Sequence, residues 1–204
     1  MIYGIWDVLS PVFFYMILSN IMVLLSGNRL DAASLTTVTA VVTLPGLVWM
    51  YRKDRREAPE QKNQIPWRVY PFVAVSGVVL NILLTVVLNH FAVTEHFTNA
   101  AQEGLLASDI VAQVLGLGIL IPVMEEFLFR GLFYRRLKKY IPVWAAVLLG
   151  AAVFALYHGN MVQILFAFPM GLVMLLAYEK WDSLAVPVIF HMAVNLSTVI
   201  ISII

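Results

Sequence analysis

Residues 112–130 read AQVLGLGILIPVMEEFLFR, in which the first charged side chain is that of Glu125. The length and apolar character of this run match the roughly 20 residues with which a helix crosses about 30 Å of hydrocarbon. Backbone polar groups in lipid must be satisfied internally, and the run is too long for a barrel strand, so a helix is the expected state. The stretch therefore predicts a transmembrane helix, starting near Asp109, with ionisable groups in its interior.

The composition of the whole chain points to the same class of protein. Of its 204 residues, 61% are hydrophobic and 12% are charged, and the mean hydropathy is +0.87. A soluble domain is about half apolar and a quarter charged. We therefore predict an all-α fold, a polytopic transmembrane bundle of about seven helices in a single membrane domain over residues 1–204. The other apolar stretches are residues 5–25, 34–51, 70–91, 142–158, 161–178 and 183–204.

The basic residues are distributed unevenly between the two sides of the predicted bundle. Seven crossings place three basic clusters on one side, which should be cytoplasmic because Lys and Arg accumulate in cytoplasmic loops. The N-terminus is then cytoplasmic, and the clusters are expected to contact anionic lipid rather than nucleic acid. The clusters are Arg52, Lys53, Arg55, Arg56, Lys62 and Arg68; Arg135, Arg136, Lys138 and Lys139; and Lys180.

Two further features of the sequence narrow the possibilities. The chain has no cysteine, which excludes disulfides, thiolate metal ligands and a cysteine nucleophile. The first apolar stretch lacks a basic start and a clear small-residue cleavage site, so we expect it to be a retained helix rather than a signal peptide.

Two adjacent acids and an arginine lie in the fourth predicted helix, where a central charge costs at least ~2.5 kcal/mol. Glu126 and Arg130 are spaced i,i+4 with the acid first, which is the favourable order for an ion pair on one helix face. Glu125 points about 100° away and has no partner on its own helix. We predict that Glu125 is a general base and that the Glu126–Arg130 pair holds it in place. The alternative is that all three residues pair across helices to set packing.

Two later helices carry polar residues that complete a candidate site. His158 ends the fifth helix, about 24 Å from the basic side at 1.5 Å per residue, and Glu125 lies at about 21 Å. His191 and Asn195 share one face of the seventh helix, about 12 and 18 Å from its start, so a tilt or a different start must bring them level. Alternatively, His158 is an interfacial residue, and His191 and Asn195 hydrogen-bond neighbouring helices.

Together these residues indicate hydrolysis. Glu125 and His158 can hold and deprotonate a water molecule, while His191 and Asn195 can donate hydrogen bonds to a tetrahedral oxyanion. A metal-dependent variant stays open, because Glu125, His158 and His191 would form a sufficient catalytic zinc shell. Such a site would be assembled from separate helices, since the His-Glu-x-x-His spacing of soluble zinc proteases does not occur.

The order and spacing of these residues resemble a known family. Glu-Glu-x-x-x-Arg at 125–130, Phe-x-x-x-His at 154–158 and His-x-x-x-Asn at 191–195 are similar to the motifs of the CAAX protease and bacteriocin-processing (Abi) family of intramembrane proteases. The Phe-Pro-Met-Gly segment at 168–171 resembles that family's Phe-x-x-Gly motif. The likeness covers about residues 115–198, so residues 1–108 form helices without motifs and residues 109–204 the catalytic helices.

The resemblance implies an intramembrane endopeptidase with a buried site that opens toward the cytoplasmic side. In that family the residues matching Glu125 and His158 activate water, and those matching His191 and Asn195 form the oxyanion hole. Both a mechanism with a divalent metal such as zinc and a metal-free glutamate mechanism are argued for the family, and we favour the metal-free one.

The expected partners follow from the resemblance and from the short chain. The protein looks like a bacterial member, which implies a plasma-membrane location and a peptide or membrane-anchored protein as substrate, rather than a prenylated protein. We also predict that Phe154 and Phe129 contact the substrate. A non-catalytic peptide-binding or bacteriocin-immunity protein is the main alternative function. A proton-relaying transporter is less consistent with the sequence, which shows neither broken helices nor repeated halves.

Overall fold

The computed structural model of the chain describes residues 2–27, 29–57, 64–97 and 99–204, and in these ranges every regular element is helical. The predicted all-α membrane bundle is therefore confirmed. In chain order the helices are α1 (Ile2–Ser26), α2 (Ala32–Glu57), α3 (Val69–His90), α4 (Val93–His96), α5 (Ala100–Leu106), α6 (Ala112–Leu137), α7 (Val143–Tyr157), α8 (Met161–Trp181) and α9 (Ala185–Ile203).

Seven of these helices correspond to the seven predicted apolar stretches. Helices α1, α2, α3, α6, α8 and α9 are long and apolar enough to cross a membrane. Helix α7 has 15 residues and a length of about 22 Å, so it is shorter than predicted. Helix α2 continues to Glu57, so Arg52, Lys53, Arg55 and Arg56 lie on that helix instead of in a loop. Lys62 lies outside the described residues.

Helix α6 lies at the centre of the bundle. Its membrane span is 61% buried, against 11% for α3. Met124, Leu128 and Leu132 are fully buried, and their i,i+4 spacing makes one continuous apolar face. Neighbouring helices therefore surround α6 where lipid would otherwise lie, and an ionisable group there can find protein partners.

Two segments of α6 are wound more loosely than an α-helix. Residues Ala112–Leu120 and Phe127–Tyr134 are π-helical and flank the α-helical segment Ile121–Glu126. A π-turn holds more residues than an α-turn, so the chain advances less per residue. Glu125 therefore lies closer to the C-terminal end of α6 than an unbroken α-helix predicts, which reduces its offset in depth from His191.

Helix α3 runs against α9 with their backbones close together. A Cβ atom at Gly77 would lie 2.7 Å from the carbonyl oxygen of Phe190, so only glycine allows this approach. One turn further along α3, Nδ2 of the buried Asn81 donates to the hydroxyl oxygens of Ser197 at 2.7 Å and Thr198 at 3.0 Å. These contacts fix α3 along the length of α9.

Ion pairs hold together one end of the bundle, which we call the basic edge. Arg136 on α6 donates to both carboxylate oxygens of Asp54 on α2, at 2.7 and 3.1 Å. Arg55 on α2 lies 3.4 Å from the carboxylate of Asp182, which follows α8. The basic edge, defined by these four residues, is thus the end of the bundle where the predicted basic clusters meet.

Candidate active site

A buried ion pair on α6 makes a second contact with α9. Oε1 of Glu126 accepts from Nη1 of Arg130 at 2.9 Å and lies 2.8 Å from Nδ1 of His191. Both side chains of the ion pair are completely buried. Because a carboxylate paired with arginine only accepts hydrogen bonds, the proton between Glu126 and His191 resides on Nδ1. The pair expected from the i,i+4 spacing is present, and it also fixes the tautomer of His191.

The Arg130 guanidinium is stacked on an aromatic ring. Its Cζ atom lies 4.1 Å from the centroid of the Phe154 ring, which is a cation–π contact. Among the described residues, Nε and Nη2 of Arg130 and Oε2 of Glu126 have no hydrogen-bond partner. The ring face therefore replaces part of the stabilisation that hydrogen bonds would give this buried cation. The same ring contacts His158 and His191, at centroid distances of 5.0 and 5.7 Å.

Glu125 lies on the opposite side of His191 from Glu126. Its Oε2 is 3.6 Å from Nε2 of His191, which is too long for a direct hydrogen bond. Glu125 is 5% exposed, so its carboxylate is largely withdrawn from solvent. With the proton of neutral His191 on Nδ1, the lone pair of Nε2 faces this gap, which a small polar molecule such as water can bridge.

His158 ends α7 with its ring orientation fixed by the backbone. Its Nδ1 is 2.9 Å from the carbonyl oxygen of Phe154. A carbonyl only accepts, so Nδ1 carries the proton and Nε2 of neutral His158 keeps its lone pair. Gly159 follows with φ of +76°, the left-handed conformation that glycine supplies at the end of a helix. The local sequence thus sets a basic nitrogen at the end of α7.

Asn195 satisfies a backbone carbonyl that a proline has freed. The N–H of Ile121 bonds to the carbonyl of Gly116 in the π-helical pattern, and the next residue, Pro122, has no N–H to offer Leu117. Nδ2 of Asn195 donates to the Leu117 carbonyl oxygen at 2.9 Å instead. The amide of Asn195 is thereby held in place, with a second N–H left to donate elsewhere.

Four of the six predicted catalytic residues line a single cavity. Its volume is about 730 Å³, within the range of about 300–1,000 Å³ typical of ligand sites. Glu126 and Arg130 lie behind this lining, where they contact His191 and Phe154. A second cavity, of about 550 Å³ between α1 and the end of α6, contains none of the predicted residues. The four residues in the first cavity are Glu125, His158, His191 and Asn195.

The cavity extends away from the basic edge. Its lining includes Asn89 and Ser202, close to the ends of α3 and α9 that lie opposite Arg55, and Gln102 on α5. A cytoplasmic basic edge, as the charge distribution predicts, would place this end of the cavity on the non-cytoplasmic side. The cavity thus extends toward the side opposite the cytoplasmic opening that the family resemblance implies.

The two phenylalanines expected to contact substrate occupy different positions. Phe154 lines the cavity, whereas Phe129 is 3% exposed and packs edge-on against Phe154 and Tyr157, behind the lining. The structure thus gives Phe129 a supporting position. Tyr157 lines the cavity beside His158, and its hydroxyl lies 2.5 Å from that of Tyr15 on α1. Nothing in the sequence pattern singles out these two tyrosines.

Helix α3 also contributes to the cavity, although residues 1–108 were expected to carry no motif. Asn81, Thr85 and Asn89 all line it. They are spaced i, i+4 and i+8, which places them on one face of the helix. The signal in the sequence that could have predicted this contribution is the regular spacing of polar residues in an otherwise apolar membrane helix.

The predicted zinc ligands do not form a ready ligand set. Within the described ranges, no group of three His, Cys, Asp or Glu side chains is arranged to hold a metal ion. Glu125 and His191 approach each other, whereas Nδ1 of His158 is engaged by a backbone carbonyl. The metal-dependent mechanism therefore stays a prediction, and Glu125, His158 and His191 are not arranged as a metal site in this structure.

Fold and site together define a polytopic membrane protein with a buried carboxylate–histidine centre. Residues 107–197, which include all of the motif residues, match the family model of the Rce1-like type II CAAX prenyl endopeptidases. The membrane-embedded CAAX protease MroQ of Staphylococcus aureus (strain USA300) is 29% identical over 143 residues, covering 66% of this chain and 57% of MroQ. No solved structure matches the chain. The chain is therefore similar to the CAAX protease family over residues 107–197, and it spans little more than half the length of this curated relative.

Proposed function

We propose that this protein is an intramembrane endopeptidase that hydrolyses a peptide bond in a membrane-associated peptide or protein. The observation that carries the proposal is the convergence of Glu125, His158, His191 and Asn195 on one cavity inside the helical bundle. The similarity of residues 107–197 to a protease family supports the reaction class.

The attacking water is held by Glu125 and His158. The Glu125 carboxylate is largely buried, and it is not committed to the ion pair that occupies Glu126. Since Nδ1 of His158 donates to the Phe154 carbonyl, its Nε2 lone pair is available to accept from water. Two acceptors on one molecule orient it, and removal of its proton makes the oxygen nucleophilic.

The oxyanion is stabilised from α9. Asn195 has an N–H that is not used in its bond to Leu117. His191, held by Glu126 at Nδ1, is a second donor when Nε2 is also protonated, and it keeps that proton throughout the reaction. Fixed donors in a site of low polarity favour a charge that develops only in the transition state.

Bonds and protons then balance without a covalent intermediate. The water oxygen bonds to the scissile carbonyl carbon while its proton passes to Glu125, and the electron pair of the C=O bond moves to oxygen. Collapse of the oxyanion restores the C=O bond and breaks the C–N bond. Glu125 returns the proton to the leaving nitrogen. Glu126 and Arg130 take no part in these transfers and act by positioning His191.

The environment of the reaction follows from the fold and the charge distribution. We propose a bacterial plasma-membrane location with a cytoplasmic N-terminus, which puts the cavity opening on the non-cytoplasmic side. The substrate would then be a peptide or anchored protein presented at that surface or within the bilayer.

The experiment that tests this function is a cleavage assay on the purified full-length protein in detergent, with a library of blocked peptides and with mass spectrometry as readout. Wild-type protein should cleave, and Glu125→Ala and His158→Ala should not. Cleavage undiminished in either variant would refute the mechanism. Peptide binding without cleavage by wild-type protein would support the peptide-binding alternative. Metal analysis, and activity retained after chelation, would support the metal-free mechanism.

A further inference from the structure

We propose that a polar groove between α3 and α9 binds about three consecutive uncharged residues of an extended substrate, on one side of the bond that is cleaved. The inference rests on the proposed function and specifies the class of substrate. The groove continues from the catalytic residues toward the end of the bundle opposite the basic edge. It is formed by Asn81, Thr85 and Asn89 on α3 and by Asn195, Thr198 and Ser202 on α9.

The length of the groove sets the number of substrate residues. Asn195 and Ser202 are two helical turns apart, which corresponds to about 10 Å along α9. Asn81 and Asn89 are about 12 Å apart along α3. An extended chain advances about 3.3 Å per residue, so about three residues fit beside these side chains.

The hydroxyl groups of the groove have unused capacity to hydrogen-bond a peptide backbone. The hydroxyls of Thr198 and Ser202 donate to carbonyls of their own helix, at 3.1 and 2.7 Å. Their oxygens retain lone pairs, because each hydroxyl oxygen accepts up to two hydrogen bonds and Thr198 accepts one from Asn81. An extended backbone presents N–H donors that suit these acceptors, and Thr85 adds a hydroxyl from the α3 side.

The cavity offers no partner for a charged group outside its catalytic end. Its lining, as far as the structure describes it, contains no Lys, Arg or Asp, and its ionisable residues are Glu125, Tyr157, His158 and His191. A charged side chain or a free terminal carboxylate in the groove would be desolvated without a counter-ion, which is costly. The geometry therefore favours a neutral segment from the interior of a chain.

The part of the lining that comes from α8 is apolar except for Gln163, which lies in the first turn of the helix. Phe166 and Met170 are among the apolar residues, and methionine adapts its shape to differing partners. Side chains of an extended segment alternate between two faces. Apolar substrate side chains can therefore contact α8 while the backbone follows the polar residues of α3 and α9.

The test uses purified full-length protein in detergent and a library of N-acetylated, C-amidated peptides longer than the groove. We expect Asp, Glu, Lys and Arg to be excluded at three consecutive positions on one side of the cleaved bond. The Thr85→Val, Ser202→Ala double variant should raise KM about tenfold with little change in kcat, since it removes hydrogen bonds made equally to substrate and transition state. Ser76→Ala, on α3 but outside the cavity lining, is the matched control.

The possible failures separate the groove from the proposed function. Cleavage that tolerates charge at all positions, or a KM unaffected by the double variant, would overturn the groove and leave the protease standing. A photoreactive neutral peptide from the same library provides the second arm, applied to the Glu125→Gln variant. Cross-linking to α3 and α9 without cleavage by the wild type would support the groove and overturn the protease. Neither cleavage nor cross-linking would overturn both.

Discussion

His191 lies between two adjacent glutamates, with Nδ1 2.8 Å from Glu126 and Nε2 3.6 Å from Glu125. Consecutive residues on a helix point about 100° apart, so one ring reaches both only from a neighbouring helix at the same level. Glu126 is committed to Arg130, and Glu125 is not. The two acids therefore have different chemistry although they are neighbours in sequence, and His191 couples them.

Removal of the charge of Glu126 should destabilise the fold more than removal of other acidic charges. Glu126→Gln leaves the buried Arg130 without its hydrogen-bonded carboxylate, and loss of one partner of a buried pair costs about 3–5 kcal/mol. The free energy of unfolding in detergent is the measurement, with Glu103→Gln on the exposed surface of α5 as the control. Adding Arg130→Met should recover part of the loss. Equal stability of Glu126→Gln and the wild type would contradict this assignment.

Asn195 has two roles that a pair of substitutions separates. Asn195→Leu should lower kcat by about 10²–10³ through loss of an oxyanion donor, and stability by about 1–3 kcal/mol because the Leu117 carbonyl loses its partner. Pro122→Ala supplies a backbone N–H that can bond that carbonyl. In the double variant, stability should recover while kcat stays low. Recovery of kcat as well would show that Asn195 acts only through structure.

The link between the α1–α2 connection and the start of α6 should weaken in acid. Hydrogen bonds from Ser108 and from Ser34 lower the pKa of Asp31 to about 2, from 3.8 for an unperturbed group. Since the folded state favours the carboxylate, its contribution to stability is present above pH 3.8 and is lost as the pH falls toward 2. The difference in thermal midpoint between wild type and Asp31→Asn should be constant above pH 3.8 and shrink below it. A difference that persists to pH 2 would contradict the role of the carboxylate.

The side of the membrane on which the cavity opens can be measured directly. Because the chain has no cysteine, a single introduced cysteine is the only site that a maleimide labels. A cysteine at Glu103, on α5 near the cavity, should react with a membrane-impermeant maleimide added to intact cells. A cysteine at Arg56, close to the basic edge, should react only after the cells are opened. The reverse pattern would place the basic edge outside and restore the cytoplasmic opening implied by the family.

The features of this protein that the sequence predicted are those that depend on residues close together in the chain. Apolar length predicted the helices, and i,i+4 spacing predicted the contact of Glu126 with Arg130. The contact of His191 with Glu126 was not predictable, because it depends on the relative level of two helices. The relative depth of the two helices depends in turn on the π-helical segments of α6, which no residue pattern predicted. The polar face of α3 was visible in the sequence, but its meaning required the cavity.

The most direct measurement is the kcat of purified Glu125→Gln protein on a peptide that the wild type cleaves, with Glu103→Gln as a matched charge control. Glu125 makes no direct hydrogen bond to His191, so the variant should retain the stability of the wild type. Its kcat should fall by about 10²–10⁴, the contribution of a positioned general base, while Glu103→Gln remains as active as the wild type. A folded Glu125→Gln protein with undiminished kcat would contradict the central claim that Glu125 activates the hydrolytic water.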